Sequence, residues 1–532
     1  MRRWNGWGDD SIGYSVPTSA ISFLSRLVGP GHPPKDMSLQ EVLGRVPKSR
    51  LPKHSLVSTD PLTRLVHARG QSFPNWVDLR TGQISSFPDG VAYPMSTDNV
   101  TELIQYARRA DIHLIPYGGG TSVVGHIDSI KSKIPILTID MSRMNCLLDI
   151  DSQSLLATFQ AGVSGPDLEA QLRARGFTLG HFPQSFEHST LGGWVATRSS
   201  GQQSLRYGRI EKLFAGGRLV TPVGELILPS FPASAAGPDL REMVLGSEGR
   251  LGILTEACIR LSPIPENEEF HAVFFPDFQH GVEAVKQILK AGLSLCMLRL
   301  STPNETITTL ALAGHVTVIG ALERLLAIRG VGEGKCMLLL GISGKSTLAR
   351  TNRSEALNIT AKLSGVHVGK TFGEQWHKNR FRTPYLRNTL WEMGYGVDTL
   401  ETATDWVNTP RMVDQIETAL RNSIADFGER VHIFTHLSHV YPYGSSIYTT
   451  YLFRLALDRE ETLARWRGMK SAASQAITTL GGTISHQHGV GLDHLPYLAA
   501  EKGTLGMAAI SALCHKFDPK GIMNPGKLVG SM

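Results

Sequence analysis

The sequence predicts an α+β fold of two sheet-and-helix domains preceded by an arm, and three observations carry that expectation. From about residue 90, short β-rich runs alternate with stretches of helical periodicity. Near the middle, Pro263 and Pro265 interrupt this texture as a domain boundary does. A strand-like run also ends in three consecutive glycines, Gly118, Gly119 and Gly120. The 532 residues, 41% hydrophobic and 19% charged, suffice for large buried cores.

In chain order, residues 1–80 are rich in Pro, Ser and basic residues and read as an irregular arm with one modest helical candidate at 39–46. Residues 81–264 form the first domain. There, 98–110 reads as a helix with Val100, Leu103 and Ile104 on one face, 113–116, 136–139 and 155–159 as strands, and 165–176 as a helix closed by glycine. Residues 265–480 form the second domain, with helices expected at 281–291, 304–325, 409–427 and 459–480 and strands at 336–342, 432–437 and 447–455. Residues 481–532 carry a His-rich turn at 485–490 and a closing Pro/Gly-rich run. No internal repeat is visible.

Composition excludes several function classes. The net charge of +6 is mild and the basic residues are scattered, so nothing marks a nucleic-acid surface. Five cysteines, Cys146, Cys258, Cys296, Cys336 and Cys514, lie far apart with no CxxC, which points to free thiols in a reducing compartment. No apolar run reaches the roughly 18 residues that span a bilayer, so a soluble intracellular protein is expected. The ending Gly530, Ser531, Met532 matches a peroxisomal address poorly.

The chemistry is written in four segments. Pro116, Tyr117, Gly118, Gly119, Gly120, Thr121 and Ser122 form a strand-to-glycine loop whose N–H groups and hydroxyls suit a pyrophosphate, although a tight structural turn reads the same way by itself. The second segment runs Gln184, Ser185, Phe186, Glu187, His188, Ser189, Thr190 and on to a Gly pair that permits close approach to a flat ligand. The third is a small polar loop, Thr197, Arg198, Ser199 and Ser200. In the fourth, Glu248, Gly249, Arg250, Leu251, Gly252, Ile253 and Leu254 enter a strand. Together they are specific where each alone is not.

On these residues, with Asn524, Pro525, Gly526 and Lys527, the chain resembles the FAD-linked oxidases of the two-domain vanillyl-alcohol-oxidase type. Within them it is similar to the alkyldihydroxyacetonephosphate synthases over about residues 75–528, most distinctively at 190–198, Tyr207 with Gly208, and 485–491. The resemblance implies an FAD-binding domain at 81–264, a cap or substrate domain at 265–480, and a terminal segment returning to the FAD domain and active site. It implies a redox-neutral exchange of the acyl group of 1-acyl-dihydroxyacetone phosphate for a long-chain fatty alcohol, through a flavin N5 adduct. A homodimer at a membrane surface, in peroxisomes or glycosomes, is also what the resemblance implies.

Site residues carry over by position. Tyr448 matches a tyrosine proposed as general acid/base; read alone, it is an aromatic on a strand. Arg387 matches the arginine that grips the substrate phosphate, and otherwise reads as a solvated helix arginine. Arg299 matches an arginine required near the flavin, and its apolar neighbours independently call for an anionic partner. Where relatives carry three successive histidines, this chain has His486, Gln487 and His488, so two imidazoles remain to hydrogen-bond a leaving carboxylate or incoming hydroxyl. A metal site is the competing reading, with Asp493 and His494 nearby, but the spacing matches no metal motif and no metal is expected. His436 and His439 read as structural. No His or Cys lies at 116–124 and His126 is beyond the linking position, so FAD is expected to be non-covalent. The alternatives are an FAD-dependent 2-hydroxyacid dehydrogenase, and a flavin-binding protein without catalysis.

Overall fold

The computed structural model describes residues 2–530; Ser531 and Met532, on which the address comparison rests, lie outside the described residues. A four-stranded sheet runs in the order Val57–Ser58, Gly90–Ala92, Ile136–Asp140, His113–Tyr117, and its last three strands are parallel. Parallel pairing requires a crossover, and the helix Thr97–Ala110 supplies it. Ser96 caps that helix by accepting from the Asn99 N–H, and Val100, Leu103, Ile104 and Ala107 bury one face at the 3.6-residue period. A five-stranded antiparallel sheet follows, in the order Leu147–Asp151, Leu156–Gln160, Ile253–Arg260, Phe214–Thr221, Gly224–Leu228.

The larger sheet has eight strands. Its order is Val366–His367, Asn267–Phe275, Cys336–Gly344, Met297–Ser301, Val431–Leu437, Gly444–Arg454, Tyr395–Asp405, with Val440–Tyr441 pairing beside Gly444–Arg454. Side chains alternate across it with period two. Leu298, Leu300, Leu338, Leu340 and Ile433 join the largest apolar core with residues of the helices Thr409–Ala425 and Arg459–Thr479. The opposite face, with Met297, Arg299 and Ser301, borders a cavity.

Three segments differ from the sequence reading. The expected single helix at 304–325 is two, Pro303–Ala313 and Val316–Ile328, because Gly314 adopts a left-handed conformation (φ 72°) that stops the first. The arm is largely ordered: the helix Thr18–Val28 packs Leu24 and Val28 against Leu390 and Leu452, and Phe73–Thr81 buries Phe73 and Trp76. A long helix, Leu495–Phe517, follows the His-rich turn. Gly503, at φ 67°, kinks it, and with Gly506 hides its periodicity in the sequence.

The chain end returns to the first sheet. Leu114 bridges Met523 in parallel, the Asn524 N–H donates to the Leu114 carbonyl (2.7 Å), and the fully buried Lys527 donates to Asp128 O. Near this seam burial pushes the Asp493 carboxyl up to about 7. The folded value lies above the unfolded one of about 3.9, so the native chain holds an extra proton between the two, and stability falls as pH rises through that window. Asp493→Asn is therefore expected to raise the thermal midpoint at pH 8, with little gain near pH 4. Thermal unfolding at the two pH values checks this.

Candidate active site

One cavity of about 670 Å³ reaches from the glycine loop to the open face of the eight-stranded sheet. At the first end the strand His113–Tyr117 delivers Gly118 to Ser122 into the wall. The glycines are required by close approach: a Cβ on Gly119 would lie 1.6 Å from the His188 carbonyl oxygen, and Gly120 sits at φ +66°. The loop thus presses on the 188–190 segment, which accounts for the two motifs occurring together. The Gly119, Gly120 and Thr121 N–H groups donate to no acceptor among the described residues. Asn524 Oδ1 and Gln202 Oε1 also border the cavity, buried and without a donor. A row of free N–H groups on a glycine turn is an anion cradle, and the set fits FAD, its pyrophosphate at the loop. His126 is buried, its Nδ1 hydrogen-bonded to Ser122 Oγ (2.8 Å) and its Nε2 3.1 Å from Glu248 Oε1 without making a hydrogen bond.

At the other end, register aligns a row of side chains. Ser301 pairs with His436, His436 with Tyr448, and Tyr448 with Glu401 across four neighbouring strands. Directly opposed residues of antiparallel strands share a face, so all four point the same way. The His436 ring stacks on Tyr448 at 5.0 Å and 19°. Glu305, in the first turn of Pro303–Ala313, joins His436 Nδ1 (2.8 Å) to Arg299 Nη2 (2.5 Å). Burial works to raise the Glu305 carboxyl, but His436 and Arg299 outweigh it and hold it below the usual range. Arg299 has the anionic partner that its apolar sequence context called for. Burial, and the Arg299 charge beside it, lower the His436 pKa, so its ring is neutral.

The His-rich turn closes the row from the far side. His486 Nδ1 lies 3.1 Å from Glu401 Oε1, and its Nε2 2.6 Å from Tyr441 Oη. Burial drives His486 well below its ordinary pKa, so a neutral ring donates from Nδ1 to the carboxylate and accepts the Tyr441 hydroxyl proton at Nε2. His488 faces Tyr448 edge-on at 5.8 Å, with Nε2 3.8 Å from Glu401 Oε2. Glu401, His439 and His486 each bring one ligand atom within 4.8 Å of the others. The His439 and His486 rings, however, stack nearly parallel at 24°, so their in-plane lone pairs do not converge on one ion. The trio is a packing brace: His486 bonds Glu401, while His439 stacks on His486 and its Nδ1 meets the Ser200 and Ser204 hydroxyls.

Of the residues singled out in the sequence, Arg299, Arg387, Tyr448 and His488 border the cavity, as do Gln184, Ser185, Ser189, Thr190, Thr197, Ser199, Ser200, Glu248, Gly249, Gly252, Ile253 and Leu254. His486 stands behind the wall, and Gln487 takes a place on it. Others support from outside. Phe186 stacks on Phe381, Glu187 is an exposed residue whose carboxyl is raised by partial desolvation, and the His188 ring meets Trp7 edge-on. Arg198 pairs with Glu242, Arg250 donates to the Met523 carbonyl, and Leu251 is core. Glu305, Glu401 and His436 escaped the sequence reading. Strand register places Glu401 and His436 beside Tyr448, and Glu305 is found only where the helix Pro303–Ala313 packs over them.

The chain matches the family model described as FAD binding domain over residues 88–228, and the model described as FAD linked oxidases, C-terminal domain, over 264–528. It is 31% identical to the alkyldihydroxyacetonephosphate synthase of Dictyostelium discoideum, a match covering 99% of this chain and 93% of that one. A solved alkyldihydroxyacetonephosphate synthase superposes with a TM-score of 0.85 at 29% identity, covering 99% of this chain and 98% of the other. A solved p-cresol methylhydroxylase, at 15% identity and a TM-score of 0.69, shares the vanillyl-alcohol-oxidase type of fold.

Proposed function

Because this chain belongs to the alkyldihydroxyacetonephosphate synthase family of FAD-linked oxidases, we infer that it is an FAD-dependent enzyme making the ether bond of ether phospholipids. It exchanges the acyl group of 1-acyl-dihydroxyacetone phosphate for a long-chain fatty alcohol. The observation that carries the reading is the Ser301–His436–Tyr448–Glu401 row, whose first three members face one cavity across from the glycine loop with Glu401 buried behind them. When bound, FAD supplies an electrophile for the carbon that loses its acyloxy group.

The chain's own groups supply binding and proton handling. Arg387 is our candidate for the phosphate: its Nη1 donates to the Gln71 carbonyl (2.9 Å), its guanidinium lies over Trp76 at 4.4 Å, and its other nitrogens remain for a ligand. Burial raises Tyr448 far above the ordinary phenol, so its resting form is protonated. The group at hand to take a substrate proton is then the neutral imidazole of His488, whose pKa burial lowers, with Tyr448 Oη passing the proton on. Glu305 holds Arg299 and His436 in register for that transfer. FAD is held without a covalent link in this reading, since His126 is buried with Nδ1 hydrogen-bonded to Ser122 and its ring set against Glu248.

We also propose that the enzyme works as a homodimer at a membrane surface, in a peroxisome or glycosome. Supporting the surface is the helix Val316–Ile328, whose Val318, Leu325 and Ile328 are exposed next to the cavity-lining helix Pro303–Ala313. No described helix is long and apolar enough to cross a membrane.

Incubating FAD-loaded protein with palmitoyl-dihydroxyacetone phosphate and hexadecanol is expected to yield ether product with no net flavin reduction. Bleaching of the flavin by D-lactate, without ether product, would move the assignment to the 2-hydroxyacid dehydrogenases, a reading with weaker support.

A further inference from the structure

Three arginines border the cavity among the described residues, and two are already engaged. Arg299 is paired with Glu305, and Arg387 rests on Trp76 and donates to Gln71. Arg380 differs. Its Nε and Nη1 are buried with no acceptor, and no carboxylate among the described residues forms an ion pair with it. Its guanidinium is held over the rings of Phe182 and Phe381 at 5.3 and 4.8 Å. Burial lowers its pKa to about 10. Glu268, which pairs with His377, acts on Arg380 only through space, and a largely desolvated cation without an ion-paired partner is costly, a cost offset when an anion arrives.

The surroundings say which anion. Thr371–Asn379, Thr383–Tyr385 and Leu386–Glu392 follow one another through right-handed backbone at Arg380, Arg382 and Tyr385. Phe372, Trp376, Arg380, Pro384 and Arg387, at near-helical spacing, all border the cavity from this path. One face therefore reads apolar, apolar, cation, proline, cation, with Arg380 and Arg387 on the order of 10 Å apart along it. Met337 and Leu339 line the same cavity from the sheet. Phosphate, triose, ester and aliphatic chain follow one another in the acyl substrate in the same sequence, read from Arg387 to Phe372.

We propose that Arg380 binds the ester carboxyl of the acyl substrate and the fatty carboxylate released from it, with the acyl chain lying along Trp376 and Phe372. This rests on the reading of Arg387 as the phosphate anchor. In the exchange, the C1–O bond breaks with its electron pair on the acyloxy oxygen. The alcohol oxygen forms the new C1–O bond and gives up its proton, so alcohol and ester become ether and fatty acid. The phosphate is charged throughout, whereas the carboxylate charge appears only at cleavage, which is where an uncommitted cation acts. A single guanidinium beside an apolar wall also suits a fatty carboxylate better than a phosphate dianion, which calls for several donors.

The test titrates sodium palmitate, and separately dihydroxyacetone phosphate, into the FAD-loaded full chain by calorimetry. Arg380→Gln is expected to weaken palmitate by about tenfold or more and to leave dihydroxyacetone phosphate within about twofold, with Arg380→Lys intermediate. Trp376→Ala is expected to weaken palmitate more than octanoate, and this variant keeps the question decidable if Arg380→Gln does not fold. Unchanged palmitate affinity in the Arg380 variants overturns the proposal, as does loss of dihydroxyacetone phosphate binding in place of palmitate binding. Equal loss of palmitate and octanoate in Trp376→Ala overturns the chain placement. Arg387→Gln is read separately: unchanged dihydroxyacetone phosphate affinity sinks the phosphate reading, while the palmitate series still decides Arg380.

Discussion

Tyr448→Phe is expected to abolish acyl-for-alkyl exchange while leaving FAD content and fold unchanged. The ring does structural work through its stack on His436, and phenylalanine keeps that contact. The change removes only the hydroxyl of a ring that borders the cavity beside neutral His488. Proton transfer by a positioned group is worth about 10² to 10⁴ in rate, so turnover should fall by at least the lower figure. Ether product per bound flavin is the measurement, and turnover within a few-fold of the parent would refute a proton-transfer role. Because burial holds the phenol protonated in the parent, raising pH through 8 to 9 should not increase the parent's activity by creating phenolate.

Gly119→Ala is expected to cost the protein its flavin. The added methyl would occupy the space of the His188 carbonyl, which is backbone, and no side chain can swing away to admit it. Either the loop or the 188–190 segment must shift, and both border the cofactor end. Bound FAD should drop by about an order of magnitude or more, measured by absorbance at equal protein concentration. Full flavin content would mean that the loop does not form the cofactor wall. Together the two variants separate the ends of the cavity, since one keeps flavin and loses chemistry while the other loses flavin.

How much of this was legible depends on whether a residue's job is local. The glycine loop is readable because free N–H groups and close approach to a neighbouring backbone demand particular residue types at consecutive positions. Arg299 was half readable: its apolar neighbours announced a missing anion, but that anion, Glu305, comes from a helix whose boundaries the sequence blurred at Gly314. The Ser301–His436–Tyr448–Glu401 row was not readable, since it exists only once four strands distant in sequence pair in one register. His436, which reads as a structural histidine by itself, gains its meaning from that register. The helix Thr18–Val28 was hidden because the Pro- and Ser-rich text around it masks a short apolar stripe.

Both extremities of the chain reach the cofactor end: Arg2 donates to the Gly119 carbonyl, and Asn524 donates to the Glu248 and His126 carbonyls. During synthesis, the Asn524 contacts form only after that late segment has emerged, long after the glycine loop and residues 126 and 248. The pocket therefore matures late, after its own sheet has emerged, and flavin capture becomes a checkpoint of finished assembly.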